Sequence, residues 1–168
     1  MNYLEAIRHK IVTSGEAVDI IAGWRAKNCK VIFTNGCFDL LHLGHIEYLS
    51  KAASTGDYLI IGLNTDASVQ RLKGKTRPVN DEKSRAMVLA SLGFVSLIVL
   101  FSEDTPYELI KTLQPDVLVK GSDYQAENIV GYDVVTARGG SILTIDFVKG
   151  YSTSAIEKKI LEAHLSQM

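Results

Sequence analysis

From residue 30 onward the chain repeats one unit: a short apolar run, a turn at Gly or Asn, then a stretch with helical spacing. The runs at 31–34, 58–63, 95–101, 117–119 and 142–147 are rich in Val, Ile, Leu and Phe, with little polar alternation. Strands of that kind are covered on both faces, as in parallel sheets. Helical spacing marks 45–54, 67–72, 82–91, 106–113, 133–138 and 153–164. Such alternation predicts an α/β fold, a Rossmann-like doubly wound parallel sheet of about five strands with right-handed crossovers. Ligands of such sheets gather at the carboxyl ends of the strands, so the chemistry is expected there.

A chain of 168 residues suits a single domain spanning 1–168, with a helical prelude at 1–28 and a core at 30–160. In the prelude, Thr13 and Glu16 fit a capping box, and Val18, Ile21 and Trp24 supply an apolar face. That face suits either the sheet edge or a second subunit, and on the second reading the protein is a homo-oligomer. Trp24, beside Ile20 and Ile21, reads as core, with ligand stacking as the rival. The 18 Lys and Arg against 19 Asp and Glu leave a net charge of −1. Nucleic acid and anionic membranes call for a clustered basic excess, so neither is an expected partner. No apolar run reaches the roughly 18–20 residues of a membrane span, and the start does not resemble a signal peptide, which makes the cytoplasm the default compartment. Cys29 and Cys37 form neither a disulfide framework nor a zinc pattern and read as reduced, partly buried thiols. His9 and His164 read as surface residues.

The richest stretch is Val31-Ile-Phe-Thr-Asn-Gly-Cys-Phe-Asp-Leu-Leu-His-Leu-Gly-His45. An apolar strand enters Thr34-Asn35-Gly36, where glycine permits a tight turn and close approach of a ligand to the backbone. His42-Leu43-Gly44-His45 then opens a helix, whose unpaired N–H groups and positive dipole end favour phosphate. Two imidazoles there can donate to phosphate oxygens, with Gly44 leaving room between them. A plain helix cap is the bland alternative. A metal site is a weaker one, since only Asp39 and Glu47 stand near. The stretch is neither a Walker loop nor a dinucleotide fingerprint.

Gly36-x-Phe38-Asp39 followed by His42-x-Gly44-His45 resembles the HxGH nucleotidyltransferases, the cytidylyltransferase-like family. The resemblance runs from Lys30 to Ile160 and implies that His42 and His45 contact nucleotide phosphates and stabilise charge on the α-phosphate. It implies that Lys73, in the basic loop Arg71-Leu-Lys-Gly-Lys-Thr-Arg-Pro-Val-Asn80, reaches the reacting phosphates. On the same grounds Thr34, Asn35, Gly36, Phe38, Gly44, Arg85, Lys120, Gly121, Ser152, Thr153 and Ser154 surround the nucleotide. Asp39, Lys75 and Arg77 are expected at the second substrate. Without the family, the loop is a solvated basic segment, Arg85 a surface ion pair and Ser152-Thr-Ser154 a helix cap. Many relatives carry an arginine in the last helix, after Ser-Ser-Thr-x-x, where this chain has Glu157, Lys158 and Lys159.

Among subfamilies the chain is most similar to the adenylyltransferases of ADP-heptose synthesis for lipopolysaccharide precursors. The stretches are those above, with Val117-Leu-Val-Lys-Gly-Ser-Asp-Tyr124, Ala137-Arg-Gly-Gly140 and Gly150-Tyr-Ser-Thr-Ser154. The resemblance implies AMP transfer from ATP, with Mg²⁺, to a heptose 1-phosphate. It also implies the stand-alone form, whose partners in the pathway are a separate heptose kinase and a phosphatase. A cytidylyltransferase acting on glycerol 3-phosphate and a non-catalytic nucleotide-binding module are the alternatives.

Overall fold

A computed structural model describes residues 2–122 and 126–166. In chain order the elements are α1 (Tyr3–Arg8), β1 (Ile11–Val12), α2 (Ser14–Arg25), β2 (Val31–Gly36), α3 (Leu43–Ala53), β3 (Tyr58–Asn64), α4 (Asp66–Lys73) and α5 (Glu82–Ala90). There follow β4 (Leu97–Phe101), α6 (Tyr107–Leu113), β5 (Val117–Gly121), α7 (Tyr132–Thr136), β6 (Ser141–Ile145) and α8 (Thr153–Leu165). The strands form one sheet in the order β1-β4-β3-β2-β5-β6, with every pair parallel.

The expected five strands are present, and a sixth comes from the prelude. Ile11 and Val12 pair with Ile98 and Val99 at one edge of the sheet. Residues 1–28 are therefore not helical throughout; a two-residue strand is too short to leave a period in the sequence. The capping box forms, with Thr13 Oγ1 accepting from the Glu16 amide and Glu16 accepting from the Thr13 amide at 2.7 Å. The buried face of α2 is Ala17 and Ile21, with Ile20 and Trp24 packed beside them, whereas Val18 is exposed. Trp24 stacks on Tyr58, with ring centroids 3.9 Å apart and planes 7° from parallel. Both cysteines are reduced and half-buried, and His9 and His164 are exposed.

Alternation along each strand splits the core in two. Val31, Phe33 and Ile60 face α2 and α6, where they meet Ile21, Leu109 and Ile110. Ile32, Leu59 and Ile61 face α3 and α5, where they meet Leu49, Ala52 and Leu89. Each large apolar side chain removed from water in this way contributes about 1.5–3 kcal/mol. The chain winds from β2 to β3 and β4, then crosses by α6 to β5 on the other side of β2. This reversal opens a crevice between the ends of β2 and β5, the switch point at which such sheets bind ligands.

Candidate functional site

The crevice begins with a hydroxyl relay. Thr34 Oγ1 lies 2.8 Å from the Tyr48 hydroxyl, which donates to the Val119 carbonyl at 3.1 Å. The relay ties β2, α3 and β5 together beneath the opening. Above it, Lys120 Nζ donates to Asn35 Oδ1, which fixes an ammonium at the mouth of the crevice.

After β2 the chain turns through Phe38, whose φ of 45° is left-handed. For a bulky residue such a backbone costs on the order of 1–3 kcal/mol, so its surroundings must impose it. The Phe38 ring is buried, stands edge-on to His45 at 5.2 Å and lies over Gly36. A Cβ at Gly36 would lie 3.0 Å from that ring, so any side chain here would press on Phe38. Next, Asp39 accepts from the backbone amides of Val79 (2.8 and 3.0 Å) and Asn80 (3.0 Å), and from Arg77 Nη2 at 2.8 Å. Behind this loop the buried Arg85 donates to the Cys37 carbonyl (2.7 Å), the Asn80 carbonyl (3.0 Å) and Asp66 Oδ1 (2.7 Å).

His42 occupies the N-cap of α3 but its side chain caps nothing. Its ring stacks on that of His45, with centroids 3.7 Å apart and planes 20° from parallel. Gly44 makes this possible: a Cβ there would lie 3.1 Å from His42 Nδ1 and 3.4 Å from the Tyr151 Cβ. Burial lowers the pKa of His42. Burial, then His42, then Lys73 lower that of His45 to about 4. At neutral pH the pair is therefore uncharged, and each ring offers one N–H. The cations at the site are lysines.

The two rings divide two cavities of about 330 Å³ each. The first lies on the His45 side and is lined by Asn35, Gly36, Cys37, Phe38, Asp39, Tyr48, Lys73, Lys120, Gly121, Phe147 and Thr153. The second lies on the His42 side, against Leu41, Leu43, Gly150, Tyr151, Ser152, Ala155, Ile156 and Lys159. Lys158 instead pairs outward with Glu162 at 3.7 Å.

Most of the residues singled out from the sequence are thus brought together. Thr34 lies just beneath the first cavity, and Gly44 is buried between the histidines. Ser152 caps α8, accepting from the Ala155 amide at 3.1 Å, and borders the second cavity. Ser154 and Lys75 are exposed and line neither cavity. Arg85 sits behind the loop, and Arg77 turns to carboxylates. Asp123 and Tyr124, part of the Lys120 turn, lie outside the described residues. Sequence reasoning missed Tyr48 and Phe147, which stack at 6.0 Å in the cavity wall. Tyr48 follows His45 by one helical turn, a signal that could have found it; nothing comparable marks Phe147.

Residues 33–159 match the Cytidylyltransferase-like family. The chain belongs to that family. It is a family of nucleotidyltransferases, and its HxGH signature is here the stacked pair His42 and His45. Similar chains include the bifunctional protein HldE of Caulobacter vibrioides, 58% identical over 145 residues, or 86% of this chain and 30% of that one. The bifunctional protein HldE of Azorhizobium caulinodans is 52% identical over 149 residues, 89% of this chain and 31% of the relative. This chain thus spans about 30% of the length of these family relatives. A crystal structure of the lipopolysaccharide core biosynthesis protein from Thermoplasma volcanium is 28% identical with a TM-score of 0.57, covering 74% of this chain and 99% of that one. The pantoate-beta-alanine ligase of Francisella tularensis shares the fold at 19% identity, with a TM-score of 0.61 over 88% of this chain and 75% of its own.

Proposed function

We propose that the protein transfers AMP from ATP to a heptose 1-phosphate, forming ADP-heptose and pyrophosphate. One observation carries the reading: a stacked histidine pair at the N-terminus of α3, at the sheet's switch point, with Lys73 and Lys120 lining the cavity beside it. Its identity to bifunctional protein HldE supports the heptose, as does its likeness to a lipopolysaccharide core biosynthesis protein.

In this reaction a phosphate oxygen of the sugar 1-phosphate attacks the α-phosphorus of ATP. The bond from that phosphorus to the bridging oxygen of the β-phosphate breaks, and pyrophosphate leaves with the electron pair. The nucleophile is already ionised near neutral pH, so no general base is required. The work is positioning two polyanions and stabilising charge in the transition state. N–H groups of the imidazoles and of the first turn of α3 would donate to α-phosphate oxygens, and Lys73 and Lys120 would supply positive charge. Thr153, at the start of α8, would hold the nucleotide. Among the described residues no three His, Cys, Asp or Glu side chains are grouped to hold a metal. In the proposed reaction Mg²⁺ would be carried on the phosphates of ATP, as is usual for this ion. The sugar 1-phosphate would come from a heptose kinase and a phosphatase acting in sequence. Among the described residues no helix is long and apolar enough to cross a membrane.

Pyrophosphate release tests the reading. It is expected with ATP and a heptose 1-phosphate and not with CTP and glycerol 3-phosphate. The reverse selectivity would make the protein a cytidylyltransferase, and ATP binding without release under either condition would make it a binding module. Lys73 is exposed at the end of α4, so its removal should spare the fold. Lys73→Ala should lower kcat by about 10²-fold while the thermal midpoint stays within about 2 °C. A wild-type kcat would remove Lys73 from the mechanism.

A further inference from the structure

The basic loop was expected to offer Arg77 to a sugar phosphate, but its guanidinium is engaged by two carboxylates of the chain. Nη2 pairs with Asp39 Oδ2 at 2.8 Å and Nη1 pairs with Glu157 Oε1. We propose that Arg77 is a positioning residue: by joining Asp39 on the β2 loop to Glu157 on α8, it holds Lys73 and Thr153 at a fixed separation across the first cavity. The inference rests on the transferase reading for its kinetic consequence, and on the ion pairs alone for its structural one.

The mechanical links can be followed residue by residue. The Arg77 amide donates to the Gly74 carbonyl at 3.1 Å, closing the turn that directly follows Lys73. A shift of Arg77 therefore moves the base of the Lys73 side chain. On the far side, Glu157 stands one helical turn beyond Thr153, on the same face of α8. No residue of α8 is buried, so the helix has little packing to fix its approach to the sheet. The ion pair supplies what packing does not. Its setting favours rigidity: the Asp39 side chain is 1% exposed and that of Arg77 13%. Two backbone amides also hold the Asp39 carboxylate. The third member, the Glu157 side chain, is 40% exposed and can be changed with the least damage to the fold.

Glu157→Gln cuts the α8 arm and leaves the Asp39 arm in place. Misplacement of a reacting group by about 1 Å can cost up to about 10²-fold in rate. The expected result is a fall in kcat of about tenfold, with KM for ATP within about threefold and the thermal midpoint unchanged. Because the effect runs through the separation of Thr153 from Lys73, the same substitution made in Lys73→Ala should lower kcat by less than about twofold. An equal loss in both backgrounds, or no loss in the first, would overturn the proposal. Hydrogen exchange on the substrate-free protein gives a reading independent of activity. In Glu157→Gln, amides at 74–80 and in the first turn of α8 should both exchange faster; faster exchange in α8 alone would also overturn it. If the unaltered protein releases no pyrophosphate, the transferase reading fails, and the exchange result still decides whether Arg77 ties the two segments together.

Discussion

Replacing His45 with alanine should lower kcat by about 10²–10³-fold, the usual cost of removing one donor aimed at developing charge. The fold should survive, because His45 is half-buried and its ring contacts are with His42 and Phe38 at the rim of the core. His45→Gln keeps an N–H on a side chain of similar reach and should recover part of the rate. An unchanged kcat in folded His45→Ala would remove the histidine pair from the chemistry. The charge state of the pair has its own measurement. Followed by NMR in the substrate-free protein, the His45 ring should titrate near pH 4, well below its usual 6.5. A midpoint near 6.5 would mean that the ring is a cation in mildly acidic solution. The sign for stability follows from the same shift. Between pH 6.5 and about 4 the unfolded chain binds the proton that folded His45 refuses. The contribution of this residue to stability is therefore whole above pH 6.5 and declines as the pH falls toward 4.

Arg85→Ala should be the most destabilising single change in the loop system. The side chain is 2% exposed and donates to two carbonyls and to Asp66. Truncation leaves those acceptors buried or half-buried without their cation. The Asp66 side chain is 33% exposed, so the cost falls below the ~3–5 kcal/mol of a fully buried pair, yet remains large against a total stability of about 5–15 kcal/mol for a domain. A drop in thermal midpoint on the order of 10 °C is expected. Arg85→Lys should recover little, because a compact ammonium does not span three acceptors held by a planar fork. A midpoint within about 2 °C of the unaltered protein would show that the network is ornamental. The resemblance expects arginine at this position near the nucleotide; here Arg85 lines neither cavity and holds the carbonyls of Asn80 and of Cys37, the latter in the wall of the first cavity.

The sheet and its helices were legible because they are written in local periodicity. Strands buried on both faces leave continuous apolar runs, and the helices start within a residue or two of their caps at Thr13, Thr65, Asp81 and Ser152. The edge strand Ile11–Val12 was not legible, since its identity depends on pairing with Ile98 and Val99 far along the chain. The same division runs through the site. The histidines, the glycine between them and the strand-end turn lie within one continuous motif, and their spacing already places them together. Asp39, Arg77 and Glu157 lie in three separate segments, and although the resemblance sets Asp39 and Arg77 at the second substrate, nothing in their spacing pairs them with each other or with Glu157 until the fold brings them into contact. Spacing can say that an arginine is available; it does not say whether a carboxylate of the same chain reaches it first.

The crossover that creates the crevice also sets when it can exist. Lys120 and Asn35, which meet across it, are 85 residues apart in the chain. The histidine pair, Lys73 and the loop that carries it are all encoded before α6, whereas β5 and α8 come after. Closing the pocket thus requires a contact of long sequence separation, whose loop entropy must be met before any of its interactions count. Until β5 docks, β2 presents an unpaired edge in the middle of the future sheet, and such an edge is a template for pairing with another chain.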